Sequence, residues 1–366
     1  MKAYIVEKDR LKNNIELVRQ AAGGRVIYGV LKGNGYGLGL TQLARELRDS
    51  GVERFAVNEP GDALKLRMAG FIDEEILILN SITDENEILD LMEAKATASV
   101  GSYDAAVKLN GIAEARGEIV EVHIKIDTGM SRYGFLPGET EKILSLYRFL
   151  PRLAVTGLYT HCNTAFLPDK TAEAQRDALV GVANAIREAG FDPGCVHIAN
   201  SSYLFGHDMA GTDAVRIGSA FLGRLPIRSR NKHGLQPVGH AEASVGEVRW
   251  LEAGSTVGYG KAHVCRKATR IAIIPFGYSD GFGIGRENDL FRFRDKLRYL
   301  VHDFKALFSR KRLYVSISGK KAQVLGHIGM VHTIVDVTKI PCEIGDIARF
   351  ELSPLYANPL LERRYE

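Results

Sequence analysis

The sequence predicts an α/β protein in two parts, a (β/α)8 TIM barrel followed by an all-β C-terminal domain. Two observations carry that prediction. Through about residue 228, short β-rich runs alternate with helical text; beyond it, short alternating runs are broken by glycine turns. The length of 366 residues also exceeds one typical core, so two domains are the default. The expected boundaries are a barrel over 8–228 and a β domain over 229–366, with the opening strand 1–7 joining the latter.

The runs end in order at Lys32 ("VIYGVLK"), Glu59 ("RFAVNE"), Asn80 ("ILILN"), Val100 ("TASV"), Asp127 ("HIKID"), His161 ("GLYTH"), Asn200 ("VHIAN") and Gly218 ("AVRIG"). Gaps such as "EPGDALKLRMAG" and "TAEAQRDALVGVANAIREAG" place apolar residues at i, i+3 and i+4, the helical period. Strands alternating with helices mean βαβ units and a parallel sheet. Eight units suggest a closed barrel, whose active site lies at the C-terminal strand ends. Lys32, Asp127, His161, Asn200 and Arg216 fall there. "TASV" carries the weakest signal, and an open doubly wound sheet is the alternative.

In the second part, "GHAEASVGEVRWLEAGSTVGYG", "ATRIAIIPFGYSDGF", "RLYVSISGKKAQVLGHIG" and "HTIVDVTKIPCEIGDIARFEL" read as strands and turns. Residues 291–312 interrupt them with a basic amphipathic helix carrying eight Lys/Arg against two Asp. Its plain reading is a solvated insertion; the sharper ones are an anionic surface, a membrane face or a partner.

Composition excludes several classes. A net charge of +4 is too small to argue for nucleic acid. No run is long and apolar enough for a membrane span, and the start lacks a signal-peptide layout. The four scattered cysteines form no CxxC pair, which fits a reducing cytoplasm and gives no metal site.

Lys32 stands at a strand end before "GNGYGLG". In a partly dry pocket it loses proton affinity, and a neutral amine attacks carbonyl carbon. The glycines let backbone approach a ligand closely, and N–H groups before a helix favour a phosphate; Tyr36 adds a hydroxyl. In "EVHIKIDTGMSRYGF", Glu121, His123, Lys125 and Asp127 share one strand face. If that face looks into the barrel, Lys125 needs a compensating partner or modification; a wet edge strand is the alternative. Arg132 could hold a carboxylate or phenolate oxygen. Asn200, Ser201 and Ser202 suit phosphate oxygens or a helix cap. Arg216 inside the barrel needs an acceptor, such as an aromatic nitrogen of a cofactor. In the β domain, "STVGYGK" presents Tyr259 and "PFGYSDGF" presents Tyr278 and Asp280.

Eight separated motifs in order resemble the alanine racemase family, pyridoxal 5'-phosphate enzymes built on a barrel plus a β domain. "VLKGNGYGLG" is similar to the family's "VKANAYGHG", which implies the cofactor lysine at Lys32 and a phosphate contact at Tyr36. "HIKIDTGMSRYGF" resembles "HLKVDTGMxRLGF", implying Arg132 at the substrate carboxylate and Lys125 as the lysine often carbamylated. "GLYTHCNTA" implies His161. "VHIANSS" and "AVRIGSAFLG" imply Asn200, Ser201, Gly218 and Ser219 near the phosphate and Arg216 on the pyridine nitrogen. "STVGYGK" implies Tyr259 as second catalytic group, "GYSDGF" resembles "GYADG" and gives Tyr278, and "LGHIGMVHTIVDVT" implies Met330 offering its N–H to the substrate. The implied activity is racemisation of alanine, serine or both, with Lys32 and Tyr259 on opposite faces of the substrate. It implies a homodimer sharing its active sites, and a role in supplying D-amino acids for peptidoglycan.

The chain departs from the family pattern at Leu38, Val331 and the tail. "ELSPLYANPLLERRYE" is similar to the tail of vancomycin-resistance serine racemase domains, with Ser353 where a tyrosine is usual. The alternatives are a decarboxylase on the same scaffold, whose phosphate segment is missing, and a non-catalytic cofactor-binding protein, which would lack Tyr259.

Overall fold

The computed structural model describes residues 1–167, 170–225, 233–285, 293–308 and 312–366. The chain divides into two units, Lys8–Val238 and Met1–Glu7 with Gly239–Glu366. The first strand, β1 (Lys2–Val6), belongs to the latter.

The larger unit is a closed barrel of eight parallel strands. They are β2 (Val26–Val30), β3 (Arg54–Val57), β4 (Glu75–Ser81), β5 (Thr97–Val100), β6 (Val120–Ile126), β7 (Leu153–Thr160), β8 (Cys195–Ala199) and β9 (Ala214–Ile217). Closure comes from β2 pairing with β9, Val26 opposite Ala214 and Gly29 opposite Ile217, which excludes the open sheet. "TASV" is β5, and all four of its residues are buried. Parallel strands packed on both faces read as continuous apolar runs, which hid the period-2 signal there.

The helices follow from their ends and faces. Thr171–Glu188 buries Ala172, Gln175, Leu179, Val182, Ala183 and Ile186, a single stripe. Tyr103–Arg116 starts where the Ser102 hydroxyl accepts the Ala105 N–H (3.2 Å) and stops at left-handed Gly117.

The barrel interior holds a polar layer beside an apolar cluster of Tyr28, Val30, Ala56, Leu77 and Ala214. His197 is stacked between the rings of Tyr28 (5.3 Å) and Tyr159 (5.0 Å), with His123 edge-on at 5.0 Å. Both faces of β6 are buried: Val122, Ile124 and Ile126 on one, His123 and Lys125 on the other. The wet-edge alternative for this strand is thereby excluded.

The smaller unit adds β10 (Gly239–Ser244), β11 (Glu247–Leu251), β12 (Thr256–Val257), β13 (His263–Val264), β14 (Thr269–Ile274), β15 (Tyr314–Ile317), β16 (Lys320–Val324), β17 (Thr333–Asp336), β18 (Ile347–Phe350) and β19 (Glu362–Tyr365). Nine strands form one sheet in the order β11-β14-β17-β16-β15-β18-β10-β1-β19, and β12 pairs with β13. The opening strand joins this sheet, antiparallel to β10 and parallel to β19. Phe276, Phe282 and Phe350 pack at 4.4 and 4.8 Å beneath it. The basic segment contains a helix at Phe293–Phe308; residues 291–292 and 309–311 of it lie outside the described residues.

Candidate active site

Lys32 follows β2 directly and opens an unusual turn. Gly33, Asn34, Gly35 and Tyr36 all take positive φ (62°, 54°, 62° and 54°). L-residues avoid this region because Cβ meets the carbonyl oxygen, and only glycine and asparagine enter it easily. A left-handed turn therefore needs the glycines of "KGNGYG", while Tyr36 is held there against its preference. The turn is pinned by the Asn34 side chain, which accepts the Leu40 N–H (2.9 Å).

The turn lays Tyr36 against β9. Gly218 has no Cβ, and one placed there would collide with the Tyr36 hydroxyl. Burial pushes that phenol up to about 12, so it stays a neutral hydroxyl. Beside it, the Ser201 hydroxyl accepts the N–H of Gly218 (3.4 Å) and of Ala220 (3.1 Å). Asn200 is used up locally: its carbonyl caps Ser202 and Tyr203 while its amide donates to the Cys162 carbonyl (3.0 Å). Of the two roles open to Asn200, the geometry shows the helix cap.

Four cations converge on these strand ends. Burial, then Arg132, then Arg216 lower the Lys32 amine from its ordinary value. Burial lowers Lys125 to about 8, helped by Arg132, Arg216 and Lys32 and opposed by Asp127. The Lys125 ammonium lies 5.4 Å over Tyr133 and 5.6 Å over Tyr159, with the Leu79 carbonyl at 3.5 Å. Asp127 offers little compensation, because its carboxylate already accepts the N–H groups of Gly129, Ser131 and Arg132. His161 is depressed to about 3 by burial, Arg216 and Arg132, so it is neutral.

Arg216 anchors a chain of buried groups that the sequence reading missed. Its guanidinium donates to the Thr160 carbonyl (2.6 Å), the His197 carbonyl (3.2 Å) and His197 Nδ1 (2.8 Å). Arginine has no acceptor, so His197 Nδ1 must accept and its proton must sit on Nε2. That proton points at His123 Nδ1 (3.0 Å), which puts the His123 proton on Nε2, facing Glu75 at 3.7 Å. Glu75 in turn accepts from Tyr28 (2.6 Å) and pairs with Arg54 (3.0 Å). Burial and Arg216 drive His197 well below the imidazole range; burial, Arg216 and Arg54 hold His123 near 3. Both rings are neutral, and the series fixes the Arg216 head from the floor of the barrel. The only sequence hint was the period-2 spacing of His123 from Lys125. Burial lowers Arg216 to about 10, so it keeps its proton at neutral pH.

In the smaller unit, Tyr259 sits in a turn between two positive-φ glycines, Gly258 and Gly260, and is 83 % exposed. Met330 is 59 % exposed. Tyr278 opens a turn closed by Asp280, whose carboxylate accepts the Gly277 N–H (3.0 Å) and pairs with Lys2 (2.6 Å).

A lysine of lowered proton affinity, a neutral tyrosine and a wholly buried arginine lie at the ends of barrel strands, an arrangement suited to an anionic carbonyl compound. Comparison with known proteins gives it a family. Residues 6–226 match the alanine racemase N-terminal domain and 238–352 the alanine racemase C-terminal domain. An alanine racemase of Desulforamulus reducens is 32 % identical over 340 residues, 92 % of this chain and 85 % of that one. One from Methanococcus maripaludis is 30 % identical over 348 residues, 93 % and 86 % of the two chains. The solved alanine racemase of Clostridium difficile 630 superposes with a TM-score of 0.85 at 25 % identity, covering 100 % of this chain and 95 % of that one. The chain belongs to the alanine racemase family. It is a pyridoxal-phosphate-dependent amino-acid racemase, an isomerase.

Proposed function

We propose that the protein interconverts L- and D-alanine with Lys32 and Tyr259 as its two bases. The observation that carries this reading is Lys32 itself, a lysine of lowered proton affinity among three further cations at the mouth of a barrel.

The residues fit the cofactor. The cations Lys32, Arg132 and Arg216 suit an anionic group, and Gly218, where a Cβ would collide with the Tyr36 hydroxyl, lets that hydroxyl lie against β9 beside them. Lys32 would bond its carbonyl carbon; Tyr36, Ser201, Gly218 and Ser219 would surround its phosphate, with Asn200 capping the turn that carries Ser201, His161 would flank it, and Arg216 would meet its ring nitrogen. When bound, pyridoxal phosphate withdraws electrons from the amino acid and so acidifies its α-proton. Arg132 and the Met330 N–H hold the substrate carboxylate. The Lys32 amine, kept deprotonatable by its neighbours, takes or gives the proton on one face, and the Tyr259 hydroxyl does so on the other; together they invert the centre. Arg216 keeps its own proton, so beside a bound cofactor it would restrain electron withdrawal and disfavour other reactions.

Lys125 we read as a carbamate. Adding CO2 to its amine and releasing one proton replaces a buried cation with an anion among three remaining cations. Only the neutral amine reacts, so occupancy should fall as pH drops below the amine's value of about 8. Enzyme equilibrated with 13C-bicarbonate at pH 8 should show a carbamate carbon resonance that weakens at pH 6 and vanishes in Lys125→Ala. A spectrum indifferent to that substitution would contradict the assignment.

Tyr259 and Met330, both exposed on the smaller unit, support a homodimer whose partner completes each site. Mixing inactive Lys32→Ala and Tyr259→Phe subunits then restores one intact site in each mixed dimer. Random exchange makes half the dimers mixed, so activity returns to about a quarter of wild type. Failure of any activity to return, with exchange verified, would exclude the shared site. Serine is a further substrate, admitted by the short Ser353 side chain, whose hydroxyl accepts the Leu355 N–H (3.3 Å). The four cysteines are free, which supports a reducing, cytoplasmic setting.

A further inference from the structure

The helix Phe293–Phe308 plays no part in the reaction above. Phe293, Leu297, Leu300, Val301 and Phe304 recur along it at i, i+4, i+7, i+8 and i+11, one apolar stripe about 100° wide. In a globular fold such a stripe faces the core. Here it faces water: Phe293 is 78 % exposed, Leu300 67 %, Leu297 51 % and Val301 46 %. Lys296 and Arg298, both exposed, lie on its two flanks by the 100° step between helical residues. Arg298 sits 5.3 Å over the Tyr299 ring.

Charge is concentrated in the same place. Residues 291–312 hold eight Lys/Arg and two Asp, a net +6, whereas the whole chain carries +4, which leaves the other 344 residues at −2. The protein's positive charge therefore belongs to this segment.

We propose that the helix docks the enzyme on an anionic lipid bilayer, lying in the headgroup layer with its stripe toward the acyl chains and its flanking cations toward lipid phosphates. Sixteen residues span about 24 Å, too short to cross a bilayer but ample to lie along one. Among the described residues no helix is long and apolar enough to cross a membrane, so the contact is peripheral. Nucleic acid would use the cations and leave the aliphatic stripe in water. A two-fold contact of this face with itself would bring two +6 segments together. An anionic membrane satisfies both halves of the helix, and each basic residue near its surface adds attraction that salt screens.

The test is flotation of the full-length holoenzyme with vesicles of phosphatidylcholine alone and of phosphatidylcholine mixed with phosphatidylglycerol. Binding is expected only to the anionic vesicles, and it should be lost in high salt. Leu297→Asp with Leu300→Asp should abolish it, and Lys296→Glu with Arg298→Glu should weaken it at least about tenfold. Both double variants should racemise alanine at the wild-type rate, which also reports that they are folded. Absence of flotation with anionic vesicles overturns the proposal, as does flotation that both double variants retain. A Leu297→Asp/Leu300→Asp variant that sediments as a smaller assembly than wild type would also overturn it, by showing that a second copy covers the stripe.

Discussion

Lys32→Ala is expected to slow alanine racemisation in both directions by at least about 10³-fold, the scale of losing a positioned acid–base group. At neutral pH an ordinary lysine is a cation and neither attacks nor accepts a proton. Burial and the charges of Arg132 and Arg216 lower that barrier at Lys32. The alternative amine, Lys125, sits on another strand, β6, over Tyr133 and Tyr159. Lys32→Arg is the sharper control: it keeps the charge and much of the volume but never becomes neutral, so it should be as inactive as alanine. Chiral chromatography of both enantiomers measures the rates, and the visible absorbance of bound cofactor reports the anchor. An arginine variant within tenfold of wild type would remove Lys32 from the chemistry.

Tyr259→Phe should depress racemisation by about 10²–10⁴-fold while sparing half of the reaction. Tyr259 is exposed and makes no core contact whose loss would unfold the smaller unit. Phenylalanine keeps the ring and deletes only the proton-bearing oxygen. With one base left, one enantiomer should still exchange its α-proton with solvent and return unchanged in configuration; the other should do neither. Nuclear magnetic resonance of each enantiomer in deuterated water reads this directly. Equal loss of exchange for both enantiomers would mean that a single base serves both faces.

Most barrel strands were legible in the sequence because the buried run stops at a polar residue at the strand end, a mark that the runs ending at Val100 and Gly218 lack. Lys32, Asp127, His161 and Asn200 mark those stops, at the C-terminal ends of β2, β6, β7 and β8. The second domain was legible from its glycine turns. Coupling across the barrel was not. His123 and His197 lie 74 residues apart and touch only because the sheet closes on itself. No local pattern encodes which inward side chains meet, so the Glu75–His123–His197–Arg216 series emerged only from the structure. The left-handed turn at Gly33–Tyr36 was half visible: its glycines announced positive φ, but nothing announced that Tyr36 would share it. The tail was read for its resemblance alone. Its Asn358 donates to the Ser279 carbonyl (2.9 Å) and to the Asp280 carbonyl (3.2 Å), tying the chain end to the Tyr278 turn.

The central claim is that this barrel inverts an amino acid by moving its α-proton between two faces. The most direct measurement incubates L-alanine and L-serine, in separate tubes of deuterated water with pyridoxal phosphate, and analyses the products by chiral chromatography with mass detection. The account predicts D-alanine carrying one α-deuterium, formed faster than D-serine. If neither amino acid inverts or takes up deuterium, the two-base reading of Lys32 and Tyr259 is wrong.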